Sequence, residues 1–265
     1  MRAIGFVPLS VSTLTLRTYV PAELRVFADP EELGEALADH VLFCYTRARE
    51  TTARTRFLLG CPGGRTPRTT YAALARRGAD LSGLVVVMMD EYVEDGRAAP
   101  ADVHYSCRRF ALDEIARPLG IAQENVWVPE PADPAAYDER IVAAGGIDLF
   151  LLASGASDGH VAFLPPGSPL DGGTTVVPLA ETTRRDNLAT FPEFSSLEDV
   201  PEYGVSVGLG TIRAARSVRL VLHGADKREA TAKLLALEDY DPAWPASVVH
   251  VCADAEVWVD QAALG

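Results

Sequence analysis

Six short apolar runs, each bounded by turn residues, recur along this chain of 265 residues. They are rich in Val, Leu and Ile, and their hydrophobicity is continuous rather than alternating, which is typical of strands buried on both faces. A parallel sheet that is covered by helices buries its strands in this way. The six predicted strands are Arg56–Cys61, Leu84–Met89, Ile147–Ala153, Tyr203–Val207, Val218–Leu222 and Val248–Val251.

Segments with apolar residues three to four positions apart lie between these runs and predict helices. They are Glu31–Thr46, Arg68–Arg77, Tyr105–Ile115, Pro134–Ala144 and Lys227–Leu237. Asp29-Pro30 and Asp133-Pro134 are start signals, with Asp at the N-cap and Pro just inside the helix. The alternation predicts an α/β fold with a doubly wound, mostly parallel, Rossmann-like sheet flanked by helices. Ligands of such sheets bind at the carboxyl ends of the strands.

The composition fits one domain over residues 1–265, with residues 1–23 as an atypical N-terminal segment. Hydrophobic residues make up 48% of the chain, which supplies a sizeable core, and no repeat or long linker divides it. The net charge of −13 argues against nucleic-acid and membrane partners, because polyanions need a clustered basic surface. The first twenty residues lack the apolar region of a secretory signal, so we expect a cytoplasmic protein.

The first of three loops that follow predicted strands is Gly60-Cys-Pro-Gly-Gly-Arg-Thr-Pro67. It opens a helix, so its backbone N–H groups and the Thr66 hydroxyl can bind an anion at the helix N-terminus. An ordinary Gly/Pro turn is an equal alternative. The candidate substrate or phosphate ligands in this loop are Gly63, Gly64, Arg65 and Thr66.

The other two loops supply acid–base groups. Met89-Asp-Glu-Tyr92 ends a buried strand with two carboxylates, of which Asp90 is a candidate general base and Glu91 a candidate substrate ligand. Polar residues at a strand end are also common in plain turns. In Gly155–Phe163, Asp158 precedes His160 by two residues and could orient its imidazole ring.

Together these loops make the chain resemble the superfamily of glucosamine-6-phosphate deaminase and 6-phosphogluconolactonase, from about Leu24 to the C-terminus. The order GG-x-T-P, Asp-Glu-Tyr, Asp-Gly-His-x-Ala and Gly-x-x-Lys (Gly224 to Lys227) carries the resemblance. Segments that look like the deaminase are Met89–Tyr92, His104–Ser106, Val205–Ile212 and Pro245–Val248. Segments that look more like the lactonase are Gly63–Pro67, Leu164–Gly167 and Trp258 followed by Asp260. The deaminase side is the stronger of the two.

The resemblance implies roles for several residues. Asp90 would move a proton between sugar carbons, and His160 would assist ring opening with Asp158 as its orienting group. Lys227 would be a phosphate cation. The chain departs from the deaminase at two positions: proline stands at 165 instead of a glutamate, and alanine at 189 instead of a phosphate-binding arginine. Arg65, Arg184 and Arg185 are candidates to replace that arginine.

Three functions remain open at this stage. The leading one is an aldose–ketose isomerase or deaminase for an amino sugar, phosphorylated if the resemblance holds. A sugar lactone hydrolase would not need the missing glutamate, and a non-catalytic sugar-phosphate sensor would explain both departures. No cofactor or metal is expected, because neither metal-ligand spacing nor a dinucleotide fingerprint occurs. The small-molecule sugar is the expected partner, and a homo-oligomer is possible.

Overall fold

A computed structural model describes residues 22–52 and 55–265. Of the atypical N-terminal segment, residues 1–21 lie outside the described residues, and so do the twenty residues whose composition argues against a secretory signal. The described strands are β1 (Glu23–Phe27), β2 (Phe57–Cys61), β3 (Leu84–Met88), β4 (Asp90–Glu94), β5 (Arg97–Ala98), β6 (Val126–Trp127), β7 (Leu149–Ala153), β8 (Thr175–Pro178), β9 (Tyr203–Ser206), β10 (Val218–Leu222) and β11 (Ala255–Asp260).

Seven of these strands form one sheet in the order β1-β11-β10-β7-β2-β3-β6, and every pair in it is parallel. The predicted α/β class and the mostly parallel sheet are therefore confirmed. The strand order reverses along the chain, so the sheet is doubly wound and its crossover helices cover both faces. Both helix layers pack on fully buried strand residues, among them Leu59 and Val86 on one face and Leu58 and Val85 on the other.

The described α-helices are α1 (Pro30–Thr52), α2 (Arg68–Arg77), α3 (Cys107–Phe110), α4 (Pro134–Ala143), α5 (Glu181–Thr190), α6 (Leu209–Arg213), α7 (Arg228–Leu235) and α8 (Gln261–Leu264). Both predicted start signals are confirmed. Asp29 accepts a hydrogen bond from the Glu32 amide at 2.8 Å, and Asp133 accepts one from the Ala136 amide at 3.3 Å. The predicted helix from Tyr105 begins at α3 and continues as a π-helical turn over Ala111–Ala116.

A second, antiparallel sheet has the order β5-β4-β9-β8. The predicted strand Tyr203–Val207 forms β9 here, rather than in the parallel sheet. In this small sheet β4 continues directly from β3, and Asp90 pairs with Ser206. The second sheet therefore holds the first residue of β4 at the carboxyl edge of the main sheet.

The prediction of a strand at Val248–Val251 is wrong, because Pro245–Val251 is a 3₁₀ helix. All seven of its residues are buried, and a short apolar run that is buried all round does not distinguish a strand from a helix. The pattern also missed β1 and β11, whose sequences mix charged and apolar residues. Among the described residues, no helix combines the length and the apolarity needed to cross a bilayer.

Candidate active site

A cavity of about 540 Å³ opens at the carboxyl edge of the parallel sheet. The segments that follow β2, β3, β7 and β10 form its floor, and α5 forms a wall. All four strands end at this edge because they are parallel. The three loops that the sequence singled out therefore meet in one place, together with the Gly-x-x-Lys segment.

The glycine-rich loop lies between β2 and α2. Gly63, Gly64, Arg65 and Thr66, the candidate substrate ligands of the sequence analysis, all line the cavity. Gly64 has a φ of +80°, a left-handed conformation that favours glycine because it carries no Cβ. The loop is fixed from below, where the Tyr71 hydroxyl donates to the Pro62 carbonyl at 3.1 Å. Its backbone therefore presents the N-terminal end of α2 to the cavity, a favourable place for an anion.

Asp90 is the first residue of β4 and lines the cavity, although only 6% of it is exposed. Burial raises the pKa of its carboxyl group to about 7, since the charged form loses water. The Cys107 thiol donates to Asp90 Oδ1 at 3.3 Å and opposes part of that rise, as does the nearby His160. The neighbouring Glu91 adds to the rise. The result is a carboxylate that exchanges its proton near neutral pH.

Glu91 points the other way, because successive side chains of a strand alternate between its faces. Its carboxylate accepts hydrogen bonds from the Ser106 hydroxyl and from the backbone amides of Cys107 and Arg108, at 2.8 to 3.0 Å. These contacts cap the first turn of α3. Glu91 does not line the cavity. Instead it fixes the turn that holds Cys107 against Asp90, so its contacts are structural.

His160 and Asp158 form a hydrogen-bonded pair at the end of β7. Asp158 Oδ1 lies 2.7 Å from His160 Nδ1 and also accepts from the His160 amide at 3.1 Å. Burial raises the pKa of Asp158, but the hydrogen bonds and charge of His160 and a hydrogen bond from Thr182 lower it more, so the net pKa lies well below its usual range. The carboxylate thus stays ionised and keeps the Nδ1 proton toward itself. Nε2 has no hydrogen-bond partner within the described ranges and is left for a ligand in the cavity that His160 lines.

The close packing of this pair depends on Gly155. A Cβ atom at Gly155 would lie 2.1 Å from His160 Nδ1, so a larger residue would displace the ring. Pro165, where the resemblance leads us to expect a glutamate, does not line the cavity, and its carbonyl accepts from the Ser168 hydroxyl at 2.7 Å. The second side-chain neighbour of Nδ1 is the Thr183 hydroxyl at 3.3 Å.

Lys227 lies across the cavity on the segment after β10. Its ammonium group donates to the Ser154 carbonyl at 2.8 Å. Burial lowers the pKa of Lys227, while Asp226 and Asp186 oppose the fall. Lys227 and Arg65 both line the cavity, so both are positioned to contact an anionic ligand.

Arg184 and Arg185 do not line the cavity. Arg184 donates to the carbonyls of Leu197 and Val200, at 2.6 Å and 3.0 Å, and ties the following segment to α5. Arg185 pairs with Glu181 on the exposed side of the same helix. We expected that Arg184 or Arg185 could replace the phosphate-binding arginine that the resemblance implies. The structure gives this expectation no support, because both guanidinium groups have their contacts outside the cavity.

The cavity also has lining residues that the sequence did not single out: Cys107, Thr183, Asp186, Asn187 and Thr190. Four of them lie on α5 at spacings of three, four and seven. That spacing could have indicated a common face, but the helix has few apolar residues to reveal its orientation. Within the described ranges, no group of three or more His, Cys, Asp or Glu side chains is arranged to hold a metal ion.

Comparisons with known proteins identify the family of this chain. A sequence model of the glucosamine-6-phosphate isomerase/6-phosphogluconolactonase family matches residues 28–258. A protein named glucosamine-6-phosphate deaminase from Pseudarthrobacter chlorophenolicus is 39% identical over 250 residues, 91% of each chain. One of the same name from Shouchella clausii is 35% identical over 218 residues, 78% of this chain and 85% of its own.

Solved structures show the same fold. A monomeric glucosamine-6-phosphate deaminase superposes with a TM-score of 0.79 at 26% identity and covers 91% of this chain and 98% of its own. A 6-phosphogluconolactonase from Thermotoga maritima superposes with a TM-score of 0.69 at 19% identity, over 90% of this chain and 99% of its own. The second similarity bears on the fold alone.

Proposed function

The chain belongs to the glucosamine-6-phosphate isomerase/6-phosphogluconolactonase family, and we propose that it is an aldose–ketose isomerase and deaminase for an amino sugar. The net reaction converts an amino aldose and water into a ketose and ammonia. The observation that carries this proposal is the buried carboxylate of Asp90 at the cavity, with a pKa of about 7. The names of the two relatives described above support the same reaction.

His160 and Asp158 open the sugar ring in this proposal. Nε2 takes the proton of the hydroxyl group on C1 and delivers it to the ring oxygen, so the bond between C1 and that oxygen breaks. Asp158 stabilises the positive charge that the imidazole carries between the two transfers, as the acid of a hydrogen-bonded dyad does. The open-chain aldehyde makes the hydrogen on C2 acidic.

Asp90 then moves a proton from C2 to C1. Its carboxylate removes the C2 hydrogen to give an enolamine, and the same group returns a proton to C1. The product carries an iminium group at C2, to which water adds as ammonia leaves. A base with a pKa near 7 suits this step, because it is a stronger proton acceptor than an ordinary aspartate and is still half ionised at neutral pH. Since water is consumed, the enzyme would also be a hydrolase in the formal sense.

The glycine-rich loop and Lys227 would hold the substrate. Backbone N–H groups of Gly63 and Gly64 at the start of α2 suit an anionic or hydroxyl oxygen, and Lys227 and Arg65 are the cations that line the cavity among the described residues. Glucosamine 6-phosphate is the substrate in the names of the relatives, so it is the first compound to test.

The test is ammonia release from glucosamine 6-phosphate, glucosamine and their C4 epimers, run beside acid release from 6-phosphogluconolactone. Asp90→Asn is the matched control, because it keeps the shape of the side chain and removes the base. Ammonia release that disappears with Asp90→Asn supports the proposal. Acid release without ammonia release contradicts it, and so does binding of these sugars without any turnover.

A lactonase is the second candidate. The free Nε2 of His160 could activate a water molecule for attack on a lactone, and proline at position 165 removes a glutamate that such a reaction does not call for. Asp90 argues against this candidate, since water attack on a lactone does not need a second base buried beside the first. His160 would be essential in both reactions, whereas Asp90 would be essential only in the deaminase.

A further inference from the structure

Helix α5 presents to the cavity a polar face that carries no cation. Thr183, Asp186, Asn187 and Thr190 line the cavity, and their spacing of three, four and seven residues gathers them on one side of the helix. The face extends over about 10 Å at the rise of an α-helix. It begins at Thr183, whose hydroxyl lies 3.3 Å from His160 Nδ1, so it runs outward from the acid–base pair.

The amide of Asn187 leaves one donor on this face unsatisfied. Its nitrogen Nδ2 is buried and has no hydrogen-bond partner among the described residues. Buried donors in folded proteins are nearly always paired. Because Nδ2 has almost no accessible surface, a ligand oxygen can accept from it only after the Asn187 side chain rotates toward the cavity that the residue lines. Asp186 is adjacent, and its carboxylate forms no salt bridge in the part of the chain that the structure describes.

The Asn187 amide and the Asp186 carboxylate together suit the hydrogen bonding of a hydroxyl group. A sugar hydroxyl both donates and accepts, so it can accept from the Asn187 amide and donate to the Asp186 carboxylate. A phosphate dianion can only accept, and Asp186 repels it. The two arginines of α5 do not correct this balance, because they are bound on its other sides.

The charges around the rest of the cavity agree. The cations among its described lining residues are Arg65 and Lys227, and they stand against the carboxylates Asp90, Asp186 and Asp226. Burial lowers the pKa of Lys227 most, and Arg65 lowers it further, while Asp226 and Asp186 raise it. A phosphate dianion would therefore enter a cavity without excess positive charge, whereas the hydroxyl groups of an unphosphorylated amino sugar carry no charge and meet no penalty of that kind.

We propose that the α5 face, with Asp186 and Asn187 at its centre, binds the free hydroxyl groups of an unphosphorylated amino sugar. The identity of the sugar rests on the function proposed above. The hydroxyl recognition does not, since it needs only the ligand's oxygens. The protein should accordingly bind the 6-phosphate of its ligand no more than tenfold tighter than the unphosphorylated form.

The experiment measures binding, which requires no turnover. The probes are 2-amino-2-deoxyglucitol and its 6-phosphate, open-chain alditols that have no carbonyl group and cannot react. Titration calorimetry gives Kd for both with the unmodified chain. We expect the phosphate to bind no more than tenfold tighter than the free alditol. A phosphate preference above tenfold, or no binding of the free alditol, overturns the proposal.

Variants then test the face itself. Asn187→Ala should weaken binding of the free alditol at least fivefold, and a smaller loss counts against the proposal. Asp186→Asn should weaken the free alditol and strengthen the 6-phosphate, whereas equal effects on both ligands would overturn the assignment. Glu193→Gln is the matched control, because Glu193 is an exposed carboxylate just beyond α5 and outside the cavity. The two variants are measured independently, so the test can still be made if one of them does not fold.

The ammonia assay runs in parallel and separates the two proposals. Alditol binding with the expected pattern but no ammonia release from any amino sugar contradicts only the reaction. Ammonia release with a strong demand for phosphate contradicts only the hydroxyl-binding face.

Discussion

Asp90→Asn should stabilise the protein while it abolishes the reaction. The carboxyl group has a pKa of about 7 in the folded chain, against 3.8 for an exposed aspartate. The unfolded chain therefore releases the proton near pH 4 and the folded chain near pH 7, so stability falls as the pH rises between these values. A difference of about three pH units corresponds to about 4 kcal/mol of free energy of unfolding above pH 7.

Asparagine resembles the neutral carboxyl group and escapes this cost. The gain from Asp90→Asn should approach about 4 kcal/mol at pH 8 and fall to roughly 1.5 kcal/mol at pH 5, where the folded carboxyl group is already protonated. Urea denaturation of both proteins at these two pH values measures the difference directly. Equal gains at pH 5 and pH 8, or a loss at both, would refute the reasoning that burial of the ionised Asp90 carboxylate destabilises the folded chain.

The value of kcat/KM for ammonia release should rise about tenfold per pH unit below a midpoint near pH 7, as Asp90 ionises; a profile that is flat from pH 5.5 to 8 would contradict this assignment. Glu91→Gln should cost about 2–4 kcal/mol in urea denaturation, because a buried carboxylate that accepts several hydrogen bonds is replaced by a group that cannot accept them all. Arg184→Ala should lower stability by about 1–3 kcal/mol, through two carbonyls that lose a charged donor, and leave KM unchanged; a raised KM would instead favour a role in binding. Gly155→Ala should reduce kcat at least tenfold and also lower the thermal midpoint, because a Cβ atom 2.1 Å from Nδ1 must displace the His160 ring from its hydrogen bond to Asp158; an unchanged kcat would contradict this reasoning.

Much of the fold follows from local pattern. The runs at β2, β3, β7 and β10 are continuous, apolar and short, which is the pattern of a strand buried on both faces. The run Val248–Val251 has the same appearance, but its neighbours in space bury it as a 3₁₀ helix. No local signal separates these cases, because burial on all sides is a property of the packed structure. The single-domain assignment for residues 1–265 stays a prediction.

Part of the candidate site could also be predicted from local sequence, and part could not. Asp90 and His160 could be found because each follows a predicted strand, and the carboxyl ends of parallel strands meet. Lys227 was found through the resemblance of the segment from Gly224 to Lys227 to the family. Glu91 shows the limit of that reasoning: it is adjacent to Asp90 in sequence, yet the alternation of a strand directs it to α3. The sequence also could not locate Asn187, because its role depends on how α5 is rotated against the cavity.

Cleavage of the bond between C2 and its hydrogen tests the central claim most directly. The substrate is the preferred amino sugar carrying deuterium at C2, and NMR follows that deuterium as ammonia is released. If Asp90 moves a proton from C2 to C1, every molecule that loses ammonia also loses deuterium from C2, and Asp90→Asn shows neither event although it still binds the alditol. Ammonia release with deuterium retained at C2, or unchanged cleavage in Asp90→Asn, would contradict the account.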